Sequence, residues 1–422
     1  MRTGNTMKNN KQFLSPKLRF PEFRGSGGWS ATVLGELSEV VRGGSPRPID
    51  DFLTTAVDGL HWLKIGDVDK EAKYVTHTAE KVRQEALSKT RVVNPGDLIL
   101  SNSMSFGRPY ILQIKTCIHD GWIAVTHIAK ETERDFLYYL ISAPNSQNYF
   151  INNAAGSGVQ NLNADIIKVL PVCYPTSSEQ QKIADCLSSV DELIAAQARK
   201  VDALKTHKKG LMQQLFPRES ETQPRLRFPE FQNAGEWESK SIGQLGAVVT
   251  GSTPSTVQPE YYGGDRLFVS PADISDNRFI EETKTTLTEL GFRETRLIKA
   301  NSILFVCIGS TIGKIAQNRY ECATNQQINS VVPNLESANG FVYYVLSGIA
   351  EKIANLAGRQ AVPIVNKSLF SSVELMTPKL LEQKRIGDCL ASLDEVILVH
   401  SQKVQALKTI SLYTTPCGLN LT

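Results

Sequence analysis

The sequence is poor in the groups that hold metals or cross-link small folds. Six histidines and seven cysteines are scattered through 422 residues. No C-x-x-C pair and no histidine cluster at ligand spacing occurs, which argues against a structural zinc site or a disulfide framework. Charge of one sign is also lacking: Lys plus Arg number 46 against 43 Asp plus Glu. A polyanionic partner would therefore have to be met by locally placed charge. No apolar run approaches the roughly 20 residues of a membrane span, and the polar stretch Met1 to Asn10 lacks the apolar centre of a secretory signal. A cytoplasmic chain with no membrane partner is expected, long enough for two or three domains.

What is present is written twice. PKLRFPEFRGSGGWSATVLGELSEVVRGGSP from Pro16 returns from Pro224 as PRLRFPEFQNAGEWESKSIGQLGAVVTGSTP, with 15 identities in 31 positions. A second block from Pro175, containing EQQKIADCL, returns from Pro378 with EQKRIGDCL, 17 identities in 32. A period near 200 residues is too long for a solenoid and reads as a duplicated domain with an appended helix. Between the blocks the copies diverge, although Asp67 aligns with Asp273 and Gly107 with Gly313. Short apolar runs at Leu98 to Leu100, Ile303 to Val306 and Val331 to Val332 read as strands, and helices are expected around Phe136 to Ile141 and Phe341 to Leu346. Trp29 and Trp237 hold equivalent slots and read as core anchors.

The appended helices carry heptad seams. Ile183, Leu187, Val190, Ile194, Gln197, Val201 and Leu204 alternate in steps of four and three, and Ile386, Leu390, Leu393, Ile397, His400, Val404 and Leu407 repeat the pattern. Gln197 and His400 occupy the same slot, where a polar residue either sets register or lies laterally in solvent. Ser178 and Gln181 suit a capping box. Separated by a whole domain, the helices can pair antiparallel, in a pseudo-twofold arrangement like that of dimeric DNA readers. The fold class is thus mixed α/β: two tandem domains separated by long helices forming an antiparallel coiled coil. The expected divisions are a polar tail 1–15, domain 16–175, helix 176–216, linker 217–223, domain 224–378, helix 379–412 and irregular tail 413–422. After Thr409 the second helix departs from the first, with Pro416 and Gly418 unsuited to continuation.

Catalytic chemistry is weakly signalled. Gly309 to Lys314 resembles a phosphate loop, but the glycines are too close and Ile315 replaces the magnesium-binding Ser or Thr. Asp67 and Asp273, each with a nearby Glu and Lys, leave a metal-dependent nuclease open as an alternative, beside a methyltransferase or a purely structural coiled-coil adaptor.

LRFPEF at 18–23 and 226–231, the following Trp29 and Trp237, and EQQKIADCL and EQKRIGDCL resemble the specificity subunit of type I restriction-modification systems. The resemblance implies two target recognition domains, each reading one half of a split DNA sequence. It implies helices that set the gap between half-sites and dock methyltransferase subunits, with restriction (endonuclease/translocase) subunits joining that complex. It further implies that this chain is not catalytic and holds no metal, and that S-adenosylmethionine and ATP belong to the partners.

Reading double-stranded DNA requires paired donors and acceptors on loops reaching base edges. In the first domain the candidates are Arg47, Asn102, Ser103, Arg108, Gln160 and Asn161. In the second they are Ser252, Thr253, Ser310, Thr311, Lys314, Asn325, Gln326, Gln327, Arg359 and Gln360. Asn325-Gln326-Gln327 aligns with the unlike run His119-Asp120-Gly121, a divergence expected if each half reads different bases. A surface-turn role remains the alternative for any one of these residues.

Overall fold

The structure, a computed structural model, describes residues 16, 18–102, 106–154, 162–358 and 362–414. Two compact units emerge, residues 1–197 with 403–422, and 198–402. The division falls inside both long helices, so each unit takes one end of each helix.

In the first unit, strands Glu39–Arg42, Trp122–Thr126, Leu98–Ser101, Pro109–Leu112 and Tyr74–Val75 form a five-stranded sheet in that order. A second sheet of five runs Leu53–Thr54, Glu80–Val82, Leu60–Leu63, Thr116–Ile118 and Arg91–Val93. Leu98 to Leu100 and Ile123 are fully buried, so both faces of this central strand pair are apolar. On one face lies the helix Arg134–Ser142, whose Phe136, Leu137, Leu140 and Ile141 are all buried. The second unit repeats the plan: Gly246–Thr250, Ile328–Pro333, Ile303–Val306, Ile315–Asn318 and Phe279–Ile280 form one sheet, and Thr285–Leu287, Tyr262–Val269 and Cys322–Thr324 a smaller one. The helix Asn339–Gly348 takes the place of Arg134–Ser142.

A two-stranded ribbon closes each domain, Ser30–Val33 against Pro171–Tyr174 and Glu238–Ser241 against Glu374–Thr377, both antiparallel. The helix that follows is clamped to the domain's first residues. Arg19 Nε and Nη2 donate to the two oxygens of Glu179 at 2.8 and 2.7 Å, and Arg227 does the same to Glu382 at 2.7 Å on both arms. Trp29 and Trp237 add indole N–H bonds to Glu179 and Glu382, each 3.4 Å long. Both tryptophans are core residues, as their slots predicted. The LRFPEF and EQ repeats are thus the two sides of one buried ion pair, built twice.

The long helices span Ser177–Leu215 and Leu380–Thr414. The first reaches about 58 Å at 1.5 Å per residue. In the second unit they run antiparallel: Lys208 Nζ meets Asp394 Oδ1 at 2.5 Å, while Leu215 further along joins the buried cluster that holds Ile386 and Leu390. Leu187, Val201, Ile386 and Leu390 are buried; Ile183, Val190, Ile194, Gln197, Leu204, Leu393, Ile397, His400, Val404 and Leu407 are half-buried.

Two sequence expectations need correction. The capping box does not form, because the helix starts at Ser177, two residues earlier than that motif requires. Ser178 Oγ bonds Thr176 Oγ1 and Gln181 reaches Asp185, while Glu179 is drawn to Arg19. The 217–223 stretch is not a free linker. Thr222 O accepts from Trp237 N at 3.1 Å, and Glu219 pairs with Lys352 at 2.7 Å, so it is bound into the second unit.

Candidate nucleic-acid interface

In each domain three strand ends deliver three loops to one place. In the first domain the loop after Arg42 is pinned to the 119–122 turn by Gly43 N to Trp122 O at 2.9 Å and Gly44 N to Ile118 O at 3.1 Å. The loop after Ser101 is pinned there by Asn102 N to Gly121 O at 3.0 Å. The second domain uses the equivalent bonds: Gly251 N to Ile328 O, Ser252 N to Thr324 O, and Cys307 N to Gln327 O, at 3.1, 2.9 and 2.8 Å. Close approach requires glycine at the crossing. A Cβ on Gly43 would stand 2.1 Å from the His119 carbonyl oxygen, and one on Gly251 2.1 Å from that of Asn325.

The side chains at the crossing occupy matched positions but differ in chemistry. Ser45 Oγ donates to Asp120 Oδ1 at 2.7 Å; Thr253 Oγ1 donates to Gln326 Oε1 at 2.6 Å. His119 Nδ1 accepts from Gly121 N at 2.8 Å, as Asn325 Oδ1 accepts from Gln327 N at 3.1 Å. The Ser45 hydroxyl holds the Asp120 carboxyl below the usual carboxylate range, so it stays an anion. Burial beside the Trp62 and Trp122 rings lowers the His119 pKa, consistent with a neutral ring accepting the Gly121 N–H. A cleft of about 460 Å³ opens beside this loop, lined by Arg47, Trp62, Lys64, Glu80 and His119 among others.

The candidates from the sequence divide accordingly. Arg47 stands 3.4 Å from Asp120 Oδ2 with its side chain 81% exposed. Asn102 is buried, and its Nδ2 donates to Asp120 O at 3.0 Å, so it supports the loop from beneath. Arg108 lies 5.9 Å from the Tyr110 ring centroid and 3.9 Å from Glu71. In the second domain Ser252, Thr253, Asn325, Gln326 and Gln327 converge, with Gln327 Nε2 donating to Ile308 O at 3.4 Å. Ser310 and Thr311 sit on the adjoining turn, exposed and half-exposed. Lys314 Nζ donates to Ile274 O at 3.1 Å. Ser103, Gln160, Asn161, Arg359 and Gln360 lie outside the described residues, but Leu162 N bonds Asn102 O and Gly309 N bonds Pro363 O, so the chain flanking those segments returns to the same crossing.

Sequence reasoning missed Asp120 and His119 as site residues, and the arginines that brace the first loop. Arg91 Nε donates to Arg42 O at 3.3 Å, and Arg296 Nη1 to Thr250 O at 2.7 Å. The signal was a third repeat, Thr-Arg-Val-Val at 90–93 against Thr-Arg-Leu-Ile at 295–298.

Asp67 and Asp273, the carboxylates of the nuclease alternative, serve as turn caps. Asp67 Oδ2 accepts from Lys64 N at 2.9 Å, and Asp273 Oδ2 from Ser270 N at 2.8 Å. Gly107 and Gly313 also match, at φ +69° and +96°, their N–H groups bonded to Ser101 O and Val306 O.

The model of the type I restriction modification DNA specificity domain matches residues 27–206 and again 234–409. The HindI specificity subunit of Haemophilus influenzae is 32% identical over 182 residues, 42% of this chain and 36% of that protein, so the match spans about a third of the relative's length. A putative type I restriction enzyme specificity subunit of Methanocaldococcus jannaschii, MjaX, is 23% identical over 393 residues, 90% of each. The crystal structure of a type I restriction-modification S subunit from M. genitalium shares the fold, with TM-score 0.60 at 14% identity over 95% of this chain and 98% of that one. None of these matches supports the nuclease, methyltransferase or adaptor alternative. With both halves matched separately, the chain belongs to the type I restriction modification DNA specificity domain family and carries that domain twice.

Proposed function

We propose that this chain is the DNA sequence-specificity subunit of a type I restriction-modification complex. Each domain reads one half of a bipartite, asymmetric site, and the long helices set the unread gap. The observation that carries this reading is the matched loop crossing: one hydrogen-bonded scaffold built twice, with Ser45, His119 and Asp120 in one copy where Thr253, Asn325 and Gln326 stand in the other. A duplicated reader with the same frame and unlike tips suits two unlike short words. Arg47, Ser252, Ser310 and Thr311 contribute contacts to base edges or phosphates from the same loops.

The chain acts without catalysis of its own. Methyltransferase subunits dock on the helices, restriction subunits join them, and S-adenosylmethionine and ATP are bound by those partners. Gln197 and His400 fix the register of the helix pair. Mapping methylated bases genome-wide in a host with and without this chain tests the proposal. A chain-dependent motif of two short words at a constant gap is expected. A single contiguous word, or no chain-dependent change, overturns it.

A further inference from the structure

The matched position at the loop crossing differs in one chemical respect that bears on what each half reads. The inference rests on the reading of the chain as a bipartite DNA reader and deepens it. Asp120 and Gln326 are tied by the same kind of bond: an oxygen of each accepts a hydroxyl hydrogen, from Ser45 at 2.7 Å and from Thr253 at 2.6 Å. What remains differs in sign. Asp120 keeps Oδ2, an acceptor, whose neighbour Arg47 stands at 3.4 Å on a side chain 81% exposed. Gln326 has its carbonyl oxygen engaged and keeps the Nε2 amide, a donor, on an exposed residue. A carboxylate oxygen can only accept and an amide nitrogen can only donate.

We infer that Asp120 and Gln326 are the matched specificity-determining residues of the two half-sites. Asp120 accepts from a base presenting an exocyclic amino group in the major groove, cytosine N4 or adenine N6. Gln326 donates to a base presenting an acceptor there, guanine O6 or N7 or thymine O4. The long Arg47 contact is given up when the base arrives, leaving Arg47 for a neighbouring base or phosphate. Asn102, Arg91 and Arg296 hold the loops, each placing one donor on a backbone carbonyl.

The near-isosteric changes Asp120→Asn and Gln326→Glu keep the oxygen that Ser45 or Thr253 binds and invert only the outward group, so each loop keeps its internal bond. The full chain, with the methyltransferase subunits of its host, is compared with each variant by genome-wide methylation mapping. Competition binding of the same complex to duplexes carrying every base pair at each position of the motif covers variants that methylate weakly. For Asp120→Asn, one position of one half-word shifts from an amino-presenting to an acceptor-presenting base, with preference changed about tenfold or more. Gln326→Glu produces the opposite shift at one position of the other half-word, and the gap is unchanged in both. An unchanged motif, a shift of both variants in the same half-word, or a loss spread evenly across a half-word overturns the inference, the last showing a purely structural anchor. If the parent chain itself yields no chain-dependent bipartite motif, the functional reading falls and this inference with it. If the parent motif appears and the variants leave it intact, only this inference falls.

Discussion

Glu382→Ala strands the guanidinium of Arg227. The pair is almost enclosed, with side chains 8% and 3% exposed, and both arms are 2.7 Å long. Breaking such a pair from one side costs roughly 3–5 kcal/mol, because a charge is left out of water without its partner. Arg227 retains two carbonyl acceptors, Ala234 O at 2.8 Å and Gly235 O at 3.0 Å, which places the cost near the lower end. The 3.4 Å Trp237 bond lost with it adds less than about 1 kcal/mol. A loss of about 3 kcal/mol is expected, or roughly 6–12 °C in the melting of a unit this size. Hydrogen exchange read by mass spectrometry on the full chain separates the two units: Glu382→Ala should lower protection in 198–402 and leave 18–102 unchanged, with Glu179→Ala doing the reverse. Arg227→Met combined with Glu382→Leu should recover most of the loss, since no charge then remains buried. A loss below about 1 kcal/mol for the single change would show that the pair behaves as a surface one, and the clamp would have to be abandoned as the element holding helix to domain.

The two loop crossings should differ in their response to acid. His119 titrates below its ordinary 6.5, so the folded state binds fewer protons than the unfolded one; its contribution is present above pH 6.5 and is lost as pH falls through the folded value, while that of Asp120 is lost below about pH 4. Amide protection at 43–47, corrected for intrinsic rates, should fall between about pH 8 and about pH 5.5, that at 251–255 should not, and His119→Asn should flatten the response. Gly43→Ala and Gly251→Ala each force a Cβ against a carbonyl oxygen, so each should abolish methylation while melting temperature drops only modestly. Lys208→Met removes the ion pair to Asp394 and the contact over the Tyr344 ring, and should destabilise the second unit by about 1 kcal/mol, measured by urea denaturation. Inserting whole heptads into the first long helix should lengthen the gap between half-words in the methylation map and leave the words themselves unchanged.

The duplication, the helix seams and the slots of Trp29 and Trp237 were legible because each is a local property: identity at a constant offset, or a period of three and four along one stretch. The loops that meet at the crossing were legible as loops rich in donors and acceptors. Which of their residues act together was not. Asn102 reads as a base-edge donor by composition, yet it is buried under the loop. Asp120 reads as part of a divergent turn, and nothing near it in the chain marks its partner.

The sequence alone therefore determined that two like domains alternate with two long helices and that their tips differ, since apolar spacing and repeated words are written within short stretches. Folding in three dimensions is what brings Ser45 to Asp120 across 75 residues, Thr253 to Gln326 across 73, and Arg19 to Glu179 across 160. Such pairs form where strand ends and a helix start are brought together by sheet order and burial, and no local pattern carries that information.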